Sequence, residues 1–437
     1  MTKFNYLIIG NSAGAIGCVE GLRSVDQEGT LAIIAEEAYH TYSRALLPYY
    51  LSGKISLENI YYRPPDFYHK FNVTPLLGKK AVRINFKHKE VELANGEQVG
   101  YEKLLLATGA STLIPPLTGL DKKNIFGFLS LSNTLQIEKI LGQVKNVVIL
   151  GGGVIGLMTA EVLNLTAAEV LRKRGLNVSM VELAERILAP VVDETASKIL
   201  EALFQENGIE VWTKTTIKEI VGKEKVESIV LTNGRSLPCD LLILAAGVIP
   251  RVELVKDTEV KVNKGIIVNK KMQTSAPDIY ACGDCAEVYD SVTDTYRVIP
   301  LWPNAYVGGK VAGYNMAGLE REYNWGTSMN SMHFFDLYVI SAGINVTRDN
   351  EKAFEVISKL DRERKIYRKF ALADGQIQGL LLMGEITRAG ILTNLMRRKI
   401  NVRDFQAELL RSDFGYSHLP DELMWRLLKD DVLLGVV

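Results

Sequence analysis

Two stretches of this chain share one plan: an apolar strand, a glycine turn, and a helix with small residues along one side. The first is YLIIGNSAGAIGCVEGLR, with Gly10 and Gly14 in the turn. The second is NVVILGGGVIGLMTAEVL, with Gly151, Gly153 and Gly156 in strict G-x-G-x-x-G spacing. The glycines have separate steric tasks. The first permits a tight turn, the next lets backbone N–H groups approach a pyrophosphate, and the last packs helix against strand. Phosphates then sit on the positive end of the helix dipole. Each unit should be followed by a strand ending in an acid that bonds a ribose hydroxyl. TLAIIAEE supplies Glu36 and NVSMVE supplies Glu182. A carboxylate at Glu182 would repel a 2′-phosphate, which favours NAD over NADP.

With 437 residues, two to three domains are expected. Lys+Arg and Asp+Glu are equal at 51 each, which argues against nucleic acid or an anionic membrane as partner. Four cysteines in so long a chain do not make a secreted disulfide framework, so a reducing cytoplasm is expected. The opening MTKFNYLIIGNSAG lacks the apolar core and cleavage site of a signal peptide. The longest apolar stretch, at the second turn, is interrupted by three glycines, Glu161 and Glu169 and makes a poor membrane span.

The order of further motifs resembles the pyridine nucleotide-disulfide oxidoreductase superfamily, over roughly residues 3–345. YEKLLLATGA (101–110) looks like its first A-T-G strand, CDLLILAAGVIPR (239–251) like its second, and TSAPDIYACGD (274–284) like the distal flavin motif. The resemblance implies FAD and NAD(H) as cofactors. It implies an α/β fold of two Rossmann-like domains with a C-terminal α+β interface domain. For FAD it points to Gly10, Asn11, Ser12, Ala13, Gly14, Glu36, Arg44, Pro48, Ala81, Ala107, Thr108, Gly109, Gly283, Asp284, Leu301 and Trp302. For NAD(H) it points to Gly151, Gly153, Val154, Ile155, Gly156, Glu182 and Gly247. The segment LWPNAYVGGKVAG (301–313) would set a helix N-terminus near the flavin ring, where it stabilises negative charge.

Cys282 and Cys285 flank Asp284 in a C-x-x-C spacing that suits a dithiol centre or half a zinc site. No second cysteine–histidine cluster exists, so no metal is expected, and the pair reads as small buried residues around a flavin-binding aspartate. Beside the flavin, relatives carry a cysteine pair in the first helix, one cysteine after the second strand, or a lysine. Here Cys18 has no partner, and HTYSRALLPYYLSG (40–53) sets Ala45 and Tyr49 at the latter two positions. Val154 stands where many relatives have a tyrosine over the flavin. Electrons are therefore expected to leave the reduced flavin directly, with no side chain as acid, base or nucleophile.

The expected domains are 1–112 and 248–322 for FAD, 113–247 for NAD, and 323–437 for an interface or docking unit with an antiparallel sheet and closing helices. TAEVL (159–163) recurs as AAEVL (167–171), which either adds about 12 Å to the helix after the second turn or is accommodated as a bulge or loop. GNSAGAIG, YSRALLPYYLSGK and ITRAGILTNLMRRKI resemble the NADH:rubredoxin reductase-like branch, including FAD subunits that link NAD to iron–sulfur or tungsten enzymes. The activity implied is transfer between NADH and FAD, then to an external iron–sulfur or rubredoxin-type centre, in a homodimer or a hetero-oligomer subunit. Two other readings stand beside it: an NADH oxidase acting on oxygen, and a redox-sensing scaffold that binds FAD and NAD without turnover.

Overall fold

The structure, a computed structural model, describes residues 2–169 and 176–429. The chain forms two compact units. One comprises the residues up to Ile187 with Phe204–Tyr289 and Tyr296–Gly326; the other comprises Leu188–Leu203, Asp290–Thr295 and the residues from Thr327 on.

The chain opens with β1 (Thr2–Ile9), α1 (Ala13–Arg23) and β2 (Leu31–Ala35). Short helices α2 (Leu47–Leu51) and α3 (Phe67–Lys70) lead to β3 (Val73–Leu77), the hairpin β4–β5 (Ala81–Asn85, Glu90–Leu93) and the long β6 (Gln98–Leu106). Next come β7 (Ala110–Thr112), β8 (Ile125–Gly127), α4 (Leu131–Leu141), β9 (Asn146–Leu150), α5 (Val154–Glu169) and β10 (Asn177–Val181). After α6 (Glu194–Glu206) follow β11 (Glu210–Trp212), β12 (Ile217–Val221), β13 (Ser228–Leu231), β14 (Ser236–Pro238), β15 (Leu241–Leu244) and β16 (Val248–Pro250). The chain continues through β17 (Ile266–Ile267), β18 (Ile279–Ala281), β19 (Ala286–Asp290), β20 (Thr295–Val298) and α7 (Trp302–Met316).

Seven strands make one sheet, in the order β3-β2-β1-β6-β5-β4, with β18 also on β6. Its inner strands β2, β1, β6 and β18 run parallel. Parallel strands are covered on both faces and so read as continuous apolar runs; all five residues of β2 are buried. A second sheet, β11-β10-β9-β15-β8, is parallel throughout. All four residues of β15 are buried for the same reason. These are the two Rossmann-like sheets expected from the paired glycine turns. Between them β7 pairs antiparallel with β16, Thr112 opposite Val248, so the chain leaves and rejoins the first sheet side by side.

Helix α1 buries all its residues but Glu20, since it lies against the sheet and against α7. The two helices meet backbone to backbone. A Cβ at Gly17 would lie 2.1 Å from the Tyr306 carbonyl oxygen, and one at Gly309 would lie 1.9 Å from that of Gly14. Small residues there are a packing requirement. Helix α5 runs unbroken through the first TAEVL to Glu169; the rest of its sequence duplication lies outside the described residues.

In the second unit, β21 (Met329–Phe334), β22 (Leu337–Gly343), β23 (Glu355–Asp361), β24 (Ile366–Ala373) and β25 (Gln376–Met383) form an antiparallel sheet in the order β21-β22-β25-β24-β23. The alternation in MHFFDLYVISAGI (332–344) and KIYRKFALADGQIQGLLLMG (365–384) matches the end of β21 and strands β22, β24 and β25 of this antiparallel sheet. Helix α8 (Ala389–Arg397) buries Leu392, Leu395 and Met396 in the core of this unit, and α9 (Asp421–Lys429) follows. Asp193, from the 188–203 segment, holds a buried ion pair with Lys369 at 2.9 Å and accepts a 2.8 Å bond from the Tyr367 hydroxyl. Among the described residues, no helix is long and apolar enough to cross a membrane.

Candidate functional site

The two parallel sheets repeat one geometry at the carboxyl ends of their central strands. Where β1 ends, the Gly10 N–H donates to the Ile34 carbonyl and the Ala107 N–H to that of Ile9, both at 2.8 Å. Where β9 ends, the Gly151 N–H donates to Val181 at 2.8 Å and the Ala245 N–H to Leu150 at 2.7 Å. Each turn crosses tightly over its neighbour. A Cβ at Gly10 would lie 2.1 Å from the Ala107 carbonyl oxygen, and one at Gly151 would lie 2.2 Å from that of Ala245. Their φ angles, +124° and +118°, are closed to side chains in any case.

At the first sheet a third strand end joins the other two. The Cys282 N–H donates to the Leu106 carbonyl at 3.1 Å, so β18 finishes beside β6. Gly10 to Gly14, Ala107 to Gly109, and Gly283 with Asp284 therefore share one carboxyl edge, the place where open α/β sheets take ligands. Ser12 precedes Ala13 as the extended N-cap of α1, and its side chain makes no capping bond. The first N–H groups of α1 have no intrahelical acceptor, which leaves them for an anion. Asn11 is fixed from both sides: it donates to the Tyr39 carbonyl at 3.3 Å and accepts from the Tyr68 hydroxyl at 2.8 Å. Thr108 donates to the Arg251 carbonyl at 2.7 Å, and the Arg251 N–H donates to the Gly109 carbonyl at 2.9 Å.

Asp284 is half-buried, and its carboxylate has no hydrogen-bond partner among the described residues. Desolvation pushes its carboxyl above the usual range, against the opposing charge of Arg44. Arg44 itself donates to the Leu129 carbonyl and lies 3.4 Å from Glu37. Ala45 follows it as an exposed residue, and Pro48 is buried near the start of α2. Glu36 directly follows β2, within reach of Lys80 (3.0 Å) and Arg251 (3.1 Å), and Ala81 begins β4 just after Lys80. Leu301 caps α7, whose first residue Trp302 packs edge-on against Tyr62 with ring centroids 4.9 Å apart.

At the second sheet, Gly153, Val154 and Ile155 are half-buried at the start of α5, and no atom lies within 4 Å of a Cβ placed on Gly153. Gly156 packs on the turn itself, where a Cβ would meet the Gly151 carbonyl oxygen at 2.0 Å. Glu182 directly follows β10 and braces this turn. Its carboxylate accepts the Gly152 N–H at 2.6 Å and the Ala184 N–H at 2.7 Å. Gly247 is exposed two residues beyond Ala245, with φ +129°.

The cysteines are all free and buried. Cys285 donates weakly to the Cys282 and Leu106 carbonyls, and burial pushes the thiols of Cys18, Cys282 and Cys285 up. Such thiols carry almost no thiolate near neutral pH and make poor nucleophiles. Among the described residues no cluster of histidine, cysteine and carboxylate could hold a metal.

Several neighbours of these residues are invisible to spacing rules: Tyr68 on Asn11, Lys80 and Arg251 on Glu36, Tyr62 on Trp302. They come from segments 44 to 240 positions away in the chain, and nothing local marks them. The polar run HTYSR is the one stretch whose composition points toward the cluster around Arg44.

A family model described as pyridine nucleotide-disulphide oxidoreductase matches residues 4–309, and a second, the rubredoxin NAD+ reductase C-terminal domain, matches residues 329–400. The chain is 30% identical over 426 residues to the NADH-dependent phenylglyoxylate dehydrogenase subunit epsilon of Aromatoleum evansii, covering 96% of this chain and 98% of that one. It is 29% identical to the assimilatory nitrate reductase electron transfer subunit of Bacillus subtilis, covering 91% of this chain but only 50% of that longer protein. The crystal structure of the covalent putidaredoxin reductase–putidaredoxin complex has a chain with a TM-score of 0.82 at 24% identity, covering 92% of this chain and 94% of that one, a likeness of fold. The chain belongs to the pyridine nucleotide-disulphide oxidoreductase family and is an FAD-dependent NAD(H) oxidoreductase. The residues present fit these two groups: glycine turns with no room for a side chain, an open approach at Gly153, and an unpartnered carboxylate at Asp284.

Proposed function

We propose that this family member carries electrons from NADH through FAD to an external iron–sulfur centre of the rubredoxin type, as a free reductase or as the FAD subunit of a larger iron–sulfur or tungsten enzyme complex. The observation that carries this reading is the paired carboxyl-edge geometry at Gly10 and Gly151, with all four cysteines free and buried. When bound, FAD supplies hydride acceptance from NADH and release of electrons singly to an acceptor.

In this reading the chain's residues bind, orient and exclude water. Residues 1–112 with 248–322 hold FAD, 113–247 hold NAD(H), and 323–437 form the interface or docking unit. Gly10 to Gly14 and the first N–H groups of α1 take the FAD pyrophosphate; Glu36 and Ala81 flank its adenosine side. Asp284, without a protein donor among the described residues, would accept from hydroxyls of the ribityl chain. Arg44, Pro48, Ala107, Thr108, Gly109 and Gly283 line the same edge, while Leu301 and Trp302 set the α7 N-terminus toward the flavin ring. Gly151, Gly153, Val154, Ile155, Gly156 and Gly247 hold NAD(H), and Glu182 takes a hydroxyl of its ribose. With Ala45 in place of a thiol, the exit of electrons needs no sulfur relay.

The match of residues 329–400 to the rubredoxin NAD+ reductase C-terminal domain supports an iron–sulfur partner. Full-length similarity to a dehydrogenase subunit supports the subunit form. The test is steady-state transfer from NADH to rubredoxin compared with oxygen. A rate to rubredoxin at least a hundredfold above that to oxygen is expected. A faster rate to oxygen would favour an oxidase, and negligible turnover with either, despite full flavin reduction, would favour a sensing scaffold.

A further inference from the structure

The segment between β2 and β3 does more than join two strands. Tyr42 is buried, and its hydroxyl has partners on both sides: it accepts the Leu131 N–H at 3.0 Å and donates to Glu37 Oε2 at 2.8 Å. Leu131 is the first residue of α4, so Tyr42 takes one of the backbone donors that the helix cannot satisfy internally. Glu37 lies at the same helix end. The Ser132 hydroxyl stands 3.4 Å from Glu37 Oε1, and Arg44, which donates to the Leu129 carbonyl just before the helix, stands 3.4 Å from Glu37 Oε2. A carboxylate there is favoured by the helix dipole. About two turns farther along, the Tyr50 hydroxyl of α2 donates to Glu138 Oε2 of α4 at 2.8 Å, and α2 also packs on α5.

We propose that Tyr42 and Glu37 are positioning residues: together they clasp the first turn of α4 and hold the second glycine turn in register with the first. The helix they grip lies between β8 and β9, and β9 ends at Gly151, while α5, touched by α2, begins at that same turn. A grip on α4 is therefore a grip on the strand that carries the nicotinamide nucleotide's turn. Hydride transfer demands reacting atoms about 3–3.5 Å apart, and a misplacement of about 1 Å costs on the order of a hundredfold in rate. A side chain touching neither cofactor can thus govern the transfer through geometry. The inference rests on the functional reading above.

The test uses the full-length FAD-loaded protein with Tyr42→Phe and Glu37→Gln. Three quantities are read: hydrogen exchange of the first-turn amides of α4, the rate of flavin reduction by NADH in anaerobic stopped flow, and the long-wavelength charge-transfer absorbance of reduced enzyme with NAD+. Tyr42→Phe should keep its FAD, bind NAD+ within threefold of wild type, exchange the Leu131 amide at least tenfold faster, and lose about tenfold or more in reduction rate with a weakened charge-transfer band. Faster exchange with unchanged rate and band would overturn the proposal and leave a purely structural contact. So would unchanged exchange, or a rate loss matched by lost FAD. If Tyr42→Phe does not fold, Glu37→Gln decides by rate and band alone, since it removes the charge behind the Tyr42 hydroxyl and leaves the Leu131 bond in place. Losses in both with FAD retained support the clasp, and no change in either overturns it. A wild-type protein that NADH does not reduce would instead refute the functional reading, while the exchange measurement would still report on the clasp.

Discussion

A Cβ on Gly10 would stand 2.1 Å from the carbonyl oxygen of Ala107. That oxygen belongs to the neighbouring strand's exit, so it cannot retreat without breaking the Ala107 N–H bond to Ile9. Gly10→Ala should therefore open the turn and lower FAD content below about a tenth of wild type, read from the visible flavin band per protein. Gly151→Ala makes the same clash with Ala245 at 2.2 Å. It should leave FAD in place and weaken NADH binding at least tenfold, about 1.4 kcal/mol or more. Equal FAD loss in both variants would show that the two turns are not separate nucleotide sites.

Asp284 offers a pH test of the proposed FAD site. Burial raises its folded-state carboxyl above the ordinary value of 3.8, with Arg44 opposing, so in the apoprotein it stabilises the fold below about pH 4 and that contribution is lost as pH rises. Asp284→Asn should raise the melting temperature of the apoprotein at pH 7, with the gain shrinking toward pH 4. The same variant should weaken FAD binding by roughly 10- to 100-fold, the worth of a hydrogen bond to a charged group. Weaker FAD binding without apoprotein stabilisation would contradict this assignment.

Glu182 has two tasks that one substitution separates. Its carboxylate holds the Gly152 and Ala184 N–H groups, and in the proposed function its charge would repel a 2′-phosphate. Glu182→Gln keeps an acceptor and removes the charge, so preference for NADH over NADPH should narrow about tenfold. Glu182→Ala removes both, and affinity for either nucleotide should fall. Equilibrium dissociation constants for the two oxidised nucleotides check this.

The thiols should be chemically silent. Because burial raises them, alkylation of the native protein by iodoacetamide at pH 8 should modify none of the four cysteines within the time that labels unfolded protein fully. Cys285→Ala should reduce its flavin with NADH within about twofold of wild type. Rapid labelling of Cys282 or Cys285 would reopen a redox role for the pair.

The parallel sheets and both turns were legible in the sequence because steric demands there are local: a strand, a glycine with left-handed φ, a helix of small residues. The antiparallel character of the C-terminal sheet was legible from alternation on either side of β23, while β23 itself, Glu355–Asp361, was not. The grouping of Leu188–Leu203 with the C-terminal unit was not, since it depends on long-range contacts such as Asp193 with Lys369 and Tyr367. Likewise Glu36 and Glu182 stand at equivalent strand ends, yet one pairs with Lys80 and Arg251 while the other braces a turn. Spacing places an acid at a strand end; only the packed chain decides which donors reach it.

The most direct measurement is an anaerobic titration of the oxidised, FAD-loaded protein with NADH, following the visible flavin band. A flavin with no sulfur relay takes up two electrons, so bleaching should be complete at one NADH per FAD and no further NADH should be consumed. A flavin that NADH does not bleach, or an uptake near two NADH per FAD, would contradict the account.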